Sequence, residues 1–152
     1  MPEPPLRVLF LCTGNSARSQ MGEALLRHLS RGGVDVASGG SHPKAEIHPI
    51  ARSVMRDVFG LDMARQRPKS LDSVAGESFD DVISVCDRAA DSCPVFPGDP
   101  ERIRWSLEDP AAVEGTDEAK ARAFEATARD LTARIRIWLS LPAVSSRIPR
   151  DA

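Results

Sequence analysis

The chain has 152 residues, 41% of them hydrophobic and 28% charged, a length and balance that suit one globular domain with one core. Lys and Arg number 20 against 22 Asp and Glu, a net charge of -2 with both signs scattered, which excludes a surface built for nucleic acid or an anionic membrane. The start, Met1-Pro2-Glu3-Pro4-Pro5-Leu6-Arg7, is not a basic leader, and the apolar run behind it is too short for a signal peptide or a membrane span. A cytoplasmic, reducing setting is therefore expected, in which three cysteines read as reactive or packing groups rather than a disulfide framework.

Residues 6–12 read as a short buried strand. From Ser19 the apolar positions Met21, Ala24, Leu25, Leu26 and Leu29 recur at helical spacing and stop near Gly32-Gly33. Val34 to Ala37 reads as a second strand, followed by a loop around Gly39-Gly40-Ser41-His42-Pro43. Pro49 suits the first turn of a helix with Ile50, Val54, Met55 and Val58 as its buried stripe and Gly60 as its stop. Phe79 to Cys86 carries Val82-Ile83-Ser84-Val85, a strand buried on both faces, and Ile103 to Leu107 reads as a further strand. Residues 117–140 carry a long helix with Ala121, Phe124, Ala128, Leu131, Ile135 and Trp138 turned inward. The tail from Leu141 reads as frayed. With no repeat and no linker, residues 1–152 form one domain with its core at about 6–140. Strands alternating with helices predict an α/β fold: three layers, a four-stranded parallel sheet in the flavodoxin-like order 2-1-3-4, and helices on both faces. The first strand is central, and ligands bind outside the carboxyl ends of such strands.

The chemistry starts where the first strand ends. Cys12-Thr13-Gly14-Asn15-Ser16-Ala17-Arg18-Ser19 places a nucleophile and a guanidinium five residues apart, between a strand and a helix N-terminus. Taken singly, such a cysteine packs and such an arginine is solvated. Together, with small residues between them, they make a cradle for a tetrahedral oxyanion. Backbone N–H groups of residues 13 to 18 can point inward and Arg18 can close the ring with a bidentate fork. A cysteine at its base is expected to be a thiolate, since helix N-termini and nearby cations lower a thiol pKa to roughly 3.5–7.5. Asn15 suits a left-handed backbone within the loop.

Cys86 and Cys93 form a second feature, in Cys86-Asp87-Arg88-Ala89-Ala90-Asp91-Ser92-Cys93-Pro94. Their spacing, with no histidine nearby, does not suit zinc. Packing accounts for Cys86 alone but less well for Cys93, whose neighbours look exposed; a redox relay accounts for both. If residues 87–93 are helical, the two Cα atoms lie about 10.5 Å apart, beyond the roughly 4.4–6.8 Å of a disulfide, so oxidation is expected to unwind the segment. Asp109-Pro110 is the third feature. Pro110 holds Asp109 extended, and a carboxylic acid aimed into the pocket mouth could protonate a leaving oxygen, although Asp-Pro is also an ordinary turn.

These features resemble the arsenate reductases of the low-molecular-weight protein tyrosine phosphatase type, in the branch coupled to thioredoxin. The matching residues are Cys12 to Met21, Ser38-Gly39-Gly40, His48-Pro49-Ile50-Ala51, Cys86 to Cys93-Pro94, and Trp105 to Asp109-Pro110-Ala111. The resemblance implies a relay that reduces arsenate to arsenite. Cys12 attacks arsenic while Asp109 helps a hydroxide leave, Cys86 displaces arsenite, and Cys93 carries the disulfide outward to reduced thioredoxin. It implies oxyanion binding by Thr13, Gly14, Asn15, Ser16, Ala17, Arg18 and Ser19, with Ser19 also hydrogen-bonding the Cys12 sulfur. Arsenate or phosphate is the expected ligand and thioredoxin the protein partner of a monomer, with no tightly bound cofactor. Relatives hold an alkali cation at positions equivalent to Asn15, Glu23 and Ser38. Lys69 is a candidate replacement, so no metal site is assigned.

Two other readings stand beside this one. Cys12, Arg18 and Asp109 would suffice for a tyrosine phosphatase acting through a phosphocysteine. Against it, Ala111-Ala112 after Asp109-Pro110 offers no aromatic wall, and the chain has no tyrosine. Weak phosphatase activity is expected all the same. A non-enzymatic anion-binding or phosphocysteine carrier would leave the cysteine pair without a role. His42 and His48 read as structural.

Overall fold

Four short runs of β-forming residues pair in parallel. They are β1 (Leu6–Cys12), β2 (Val34–Gly40), β3 (Asp81–Ser84) and β4 (Glu101–Arg104), in the order β2-β1-β3-β4. The computed structural model describes residues 5–87 and 95–148; Cys93 and the expected unwinding around it lie outside them. β1 is central as expected. Cys12 sits opposite Gly40 of β2, and Leu11 lies opposite Ser84 of β3. Val8, Leu9, Phe10 and Leu11 are wholly buried, so both faces of this strand are covered, as its unbroken apolar run requires.

The helices are α1 (Arg18–Leu29), α2 (Pro49–Phe59), α3 (Asp117–Ser140) and α4 (Pro142–Ser145). α3 spans the predicted residues. Thr116 Oγ1 accepts the Ala119 N–H at 3.1 Å, and Asp117 and Glu118 lie in the positive first turn. Its inward stripe, Phe124, Ala128, Leu131, Ile135 and Trp138, packs against α1 and α2. α2 ends at Gly60, whose φ of 68° is the left-handed stop that glycine supplies freely.

Three expectations are corrected. Val58 is largely exposed, and Ala51 takes its place in the stripe of α2 beside Val54 and Met55. β4 occupies Glu101–Arg104, earlier than Ile103–Leu107, because Trp105 leaves the ladder after its N–H donates to Ser84 O. The tail is not frayed between Leu141 and Ile148. Pro142 starts α4, Val144 is buried, and Arg147 Nη1 reaches Asp80 Oδ1 at 2.9 Å. Asp80 also accepts the Arg7 N–H at 2.8 Å, so one carboxylate ties the end of the chain to the sheet.

At the far end of the sheet from Cys12, Asp81 lies in register with Glu101. Burial, then Asp80 and Glu101, push its pKa up to about 6, against the pull of Arg147. Folding therefore favours the neutral form. The cost is absent below pH 4, grows as pH rises through 6, and is full above it. Asp81→Asn is expected to stabilise the fold at pH 8 by an amount on the order of 1 kcal/mol, given the partial exposure of the group. The gain vanishes below pH 4. Equal gains at both pH values in thermal melts would refute this origin.

Candidate active site

β1 delivers Cys12 to the carboxyl edge of the sheet, and the chain then curls into a loop that runs directly into α1. Asn15 takes φ 47°, the left-handed turn expected for it. The loop is braced from beneath by a buried amide network. Asn15 Nδ2 donates to Ser19 Oγ at 2.8 Å, and its Oδ1 accepts from Lys69 N at 2.7 Å and Gln20 Nε2 at 3.0 Å. Gln20 is wholly buried and also donates to Asn15 O and Arg67 O, while Gln66 Nε2 donates to Gln20 O and Oε1. Gly40 is needed where β2 meets this loop. A Cβ there would lie 2.6 Å from Thr13 O and 2.9 Å from the Asn15 Cβ.

α1 starts at Arg18 without a side-chain cap and without an acidic residue in its first turn. Arg18 Nη1 donates to Leu107 O at 2.8 Å, and Nη2 lies 3.9 Å from Asp109 Oδ2. The Arg18 Nε–H is buried and meets no acceptor among the described residues. A buried guanidinium donor without a protein partner is costly unless an anion takes it. The cavity above Cys12 has a volume of about 40 Å³ and is walled by Gly14, Ser16, Ala17, Arg18, Lys44, Asp109 and Ala111. That is room for one small tetrahedral oxyanion or a few waters.

The second cysteine arrives from β3. Cys86 is buried beside Cys12, its sulfur 3.3 Å from Thr13 Oγ1, and neither cysteine is in a disulfide among the described residues. The expected simple thiolate at Cys12 is corrected here. The Cys86 thiol and burial push its pKa up, against Arg18 and the Thr13 N–H, which pull it down. Two neighbouring thiols that interact this strongly titrate as a unit, and the second ionisation of the pair is suppressed. Arg18 and the Thr13 N–H favour placing the single negative charge on Cys12. Ser19 serves the loop: its hydroxyl oxygen accepts from the Asn15 amide at 2.8 Å.

Asp109 is extended, with φ -79° and ψ 109°, and Oδ1 caps the turn Pro110–Ala112 through the Ala111 N–H at 3.0 Å. Its other oxygen faces Arg18 at the mouth, half open to solvent, where a proton donor can reach both pocket and water. Asp87 is held beside β4 by Ser106 Oγ at 2.7 Å and Arg104 Nη1 at 3.7 Å, which anchors the residue after Cys86. His48 is structural as expected. Its Nδ1 accepts the Ile50 N–H at 3.1 Å to cap α2, and its ring lies 4.7 Å from that of Phe124. Burial, then Lys44, hold its pKa down. Trp105 packs on Phe10, with ring centres 6.2 Å apart, and does not line the cavity.

Beneath the loop, Glu23 is buried and accepts from Ser38 Oγ at 2.7 Å and from Arg27 at 2.9 Å, with Lys69 Nζ 3.8 Å away. The ammonium of Lys69 thus sits beside a carboxylate named as a possible cation ligand. Among the described residues no cluster of three or more His, Cys, Asp or Glu could hold a metal ion. Sequence reasoning missed Lys44, the Leu107 carbonyl, Gln20 and Gln66. Lys44 was open to detection, because it follows β2, the neighbour of β1, at the same sheet edge.

A parallel sheet of this order, with a cysteine-to-arginine loop on its central strand, defines an oxyanion-directed thiol enzyme class. The chain belongs to the low molecular weight phosphotyrosine protein phosphatase family, whose model matches residues 7–147. Within that family it is 36% identical, over 86% of its length and 93% of the relative's, to the arsenate reductase of Halalkalibacterium halodurans. The thioredoxin-dependent arsenate reductase of Corynebacterium glutamicum superposes with a TM-score of 0.65 at 32% identity. That match covers 91% of this chain and 65% of the other. An arsenate reductase in a phosphate-binding state superposes with a TM-score of 0.69 at 27% identity, over 89% of this chain and 97% of that one. No helix among the described residues is long and apolar enough to cross a membrane.

Proposed function

We propose that this chain reduces arsenate to arsenite through three cysteines and is recycled by thioredoxin. The observation that carries the reading is a second buried cysteine at the floor of the oxyanion cradle, Cys86, whose sulfur lies 3.3 Å from Oγ1 of Thr13, the residue after Cys12. A phosphatase needs one thiol there; a reductase needs two within exchange distance. The curated arsenate reductases at about a third identity over most of the chain support the same choice.

The steps balance as follows. The Cys12 thiolate attacks arsenic, and an As–O bond breaks as Asp109 delivers a proton and water leaves. Thr13, Gly14, Asn15, Ser16, Ala17 and Ser19 shape the loop whose amides, with Arg18, hold the remaining oxygens. The Cys86 thiolate then attacks the Cys12 sulfur. The S–As electron pair passes to arsenic, which leaves as arsenite, and a Cys12–Cys86 disulfide remains. Cys93 attacks Cys86 and frees the Cys12 thiolate. Reduced thioredoxin then returns both electrons by thiol exchange at the Cys86–Cys93 disulfide. No tightly bound cofactor takes part, the working unit is a monomer of one domain, and the setting is the reducing cytoplasm.

Cys93→Ser tests the last step. It is expected to release about one equivalent of arsenite per chain and then stall with thioredoxin present. Sustained turnover would remove Cys93 from the relay.

Phosphate-ester hydrolysis is the second reading, favoured by Asp109 facing Arg18 across the mouth. It stands as a weak side activity. The small cavity and its Ala111 wall provide no aromatic slot for a phenyl ring.

A further inference from the structure

We propose that Lys44 is a specificity-determining residue that selects free inorganic oxyanions over their monoesters by meeting the oxygen farthest from Cys12. The inference rests on the oxyanion pocket described above and adds a group to it. Lys44 follows β2, and its N–H donates to Gly14 O at 2.9 Å, which ties this loop to the Cys12 loop. Its stem then crosses Gly14, with Cγ and Cε each 3.3 Å from where a Cβ of residue 14 would stand. Any side chain at position 14 would push the lysine aside. Lys44 belongs to the cavity wall that also holds Arg18 and Asp109. Among the described residues no carboxylate pairs with it. Its charge is felt nearby, since it helps lower the pKa of His48.

The position of the charge gives the selectivity. In attack by Cys12, three oxygens of the anion face the loop amides and Arg18, while the fourth points out of the mouth, in line with sulfur. In arsenate or phosphate that fourth oxygen carries charge or a proton and can accept from an ammonium. In a monoester it is bonded to carbon, carries little charge, and its substituent crowds the place of the lysine head. Lys44 therefore adds affinity for the inorganic ion that a monoester cannot use. A lysine suits this as a mobile point charge, whereas Arg18 supplies the fixed fork.

The test measures protection of Cys12 from alkylation by iodoacetamide, read at the Cys12 peptide by mass spectrometry, with inorganic phosphate and with phenyl phosphate as protectants. Wild type, Lys44→Gln and Lys44→Arg are compared, with thermal melts as a check on folding. Lys44→Gln is expected to weaken protection by phosphate about five- to twentyfold and that by phenyl phosphate less than about twofold, with Lys44→Arg close to wild type. Unchanged phosphate affinity in Lys44→Gln overturns the proposal. So does an equal loss for both protectants, which would mean general attraction rather than contact with the outer oxygen. Failure of phosphate to protect Cys12 in the wild type would overturn the oxyanion pocket itself, a result distinct from either.

Discussion

Cys86→Ser is expected to lose arsenate reduction to background while retaining hydrolysis of an aryl phosphate within about twofold of wild type. The asymmetry follows from where the sulfur sits. Attack on arsenic, or on phosphorus, needs only Cys12, the loop amides, Arg18 and Asp109, and Cys86 belongs to none of these. The two-electron step needs a second sulfur near the first, and Cys86, delivered by β3 beside β1, is the one placed there. Serine keeps the size and the contact with Thr13 Oγ1 but cannot accept a sulfur–sulfur bond. The same variant carries a second signature. Cys86 is the largest influence raising the Cys12 pKa, so its removal should move the pH profile of Cys12 alkylation toward lower pH. Loss of reduction with an unmoved alkylation profile would contradict the coupling of the two thiols. Loss of both activities together would show Cys86 to be needed for the first step.

Cys12→Ser is expected to remove both activities, each by at least about a thousandfold, as loss of a nucleophile does elsewhere. A serine hydroxyl in this cradle has no general base: His48 Nδ1 is occupied by the Ile50 N–H, and Asp109 faces Arg18 at the mouth. Anion binding should survive, because Arg18 and the loop amides are untouched, and the Arg18 Nε–H still lacks a protein acceptor. Phosphate should therefore still raise the unfolding midpoint of this variant. If stabilisation by phosphate disappears with the activity, the cradle depends on the thiol and the assignment of roles fails.

Much of this site could be read in the chain because one local segment holds most of it. Cys12, Asn15 and Arg18 lie within seven residues between a strand and a helix, and the positive φ of Asn15 is a property of the residue type. α3 follows from the helical spacing of Phe124, Ala128, Leu131, Ile135 and Trp138 within one continuous segment. Cys86 was placed by topology, since β3 lies beside β1. What escaped depends on contacts between distant segments. The Gln20–Gln66 brace joins residues with no shared periodicity. Lys44 gains meaning only from the close approach of its loop to Gly14. The ordered tail depends on Arg147 finding Asp80, and the exposure of Val58 on which face of α2 meets α3. The Cys12 titration was misread for a related reason. The helix N-terminus and the arginine are legible in the chain itself, whereas the opposing effect of a neighbouring thiol depends on β3 packing beside β1.

A single addition of arsenate tests the central claim most directly. The reduced protein is mixed with one equivalent of arsenate, quenched with acid, alkylated, and mapped for disulfides by mass spectrometry. The account predicts two thiols lost per chain, recovered as a Cys86–Cys93 bridge with a minor Cys12–Cys86 bridge, and one arsenite released. Three free thiols after arsenate has bound, or a bridge that omits Cys86, would contradict it.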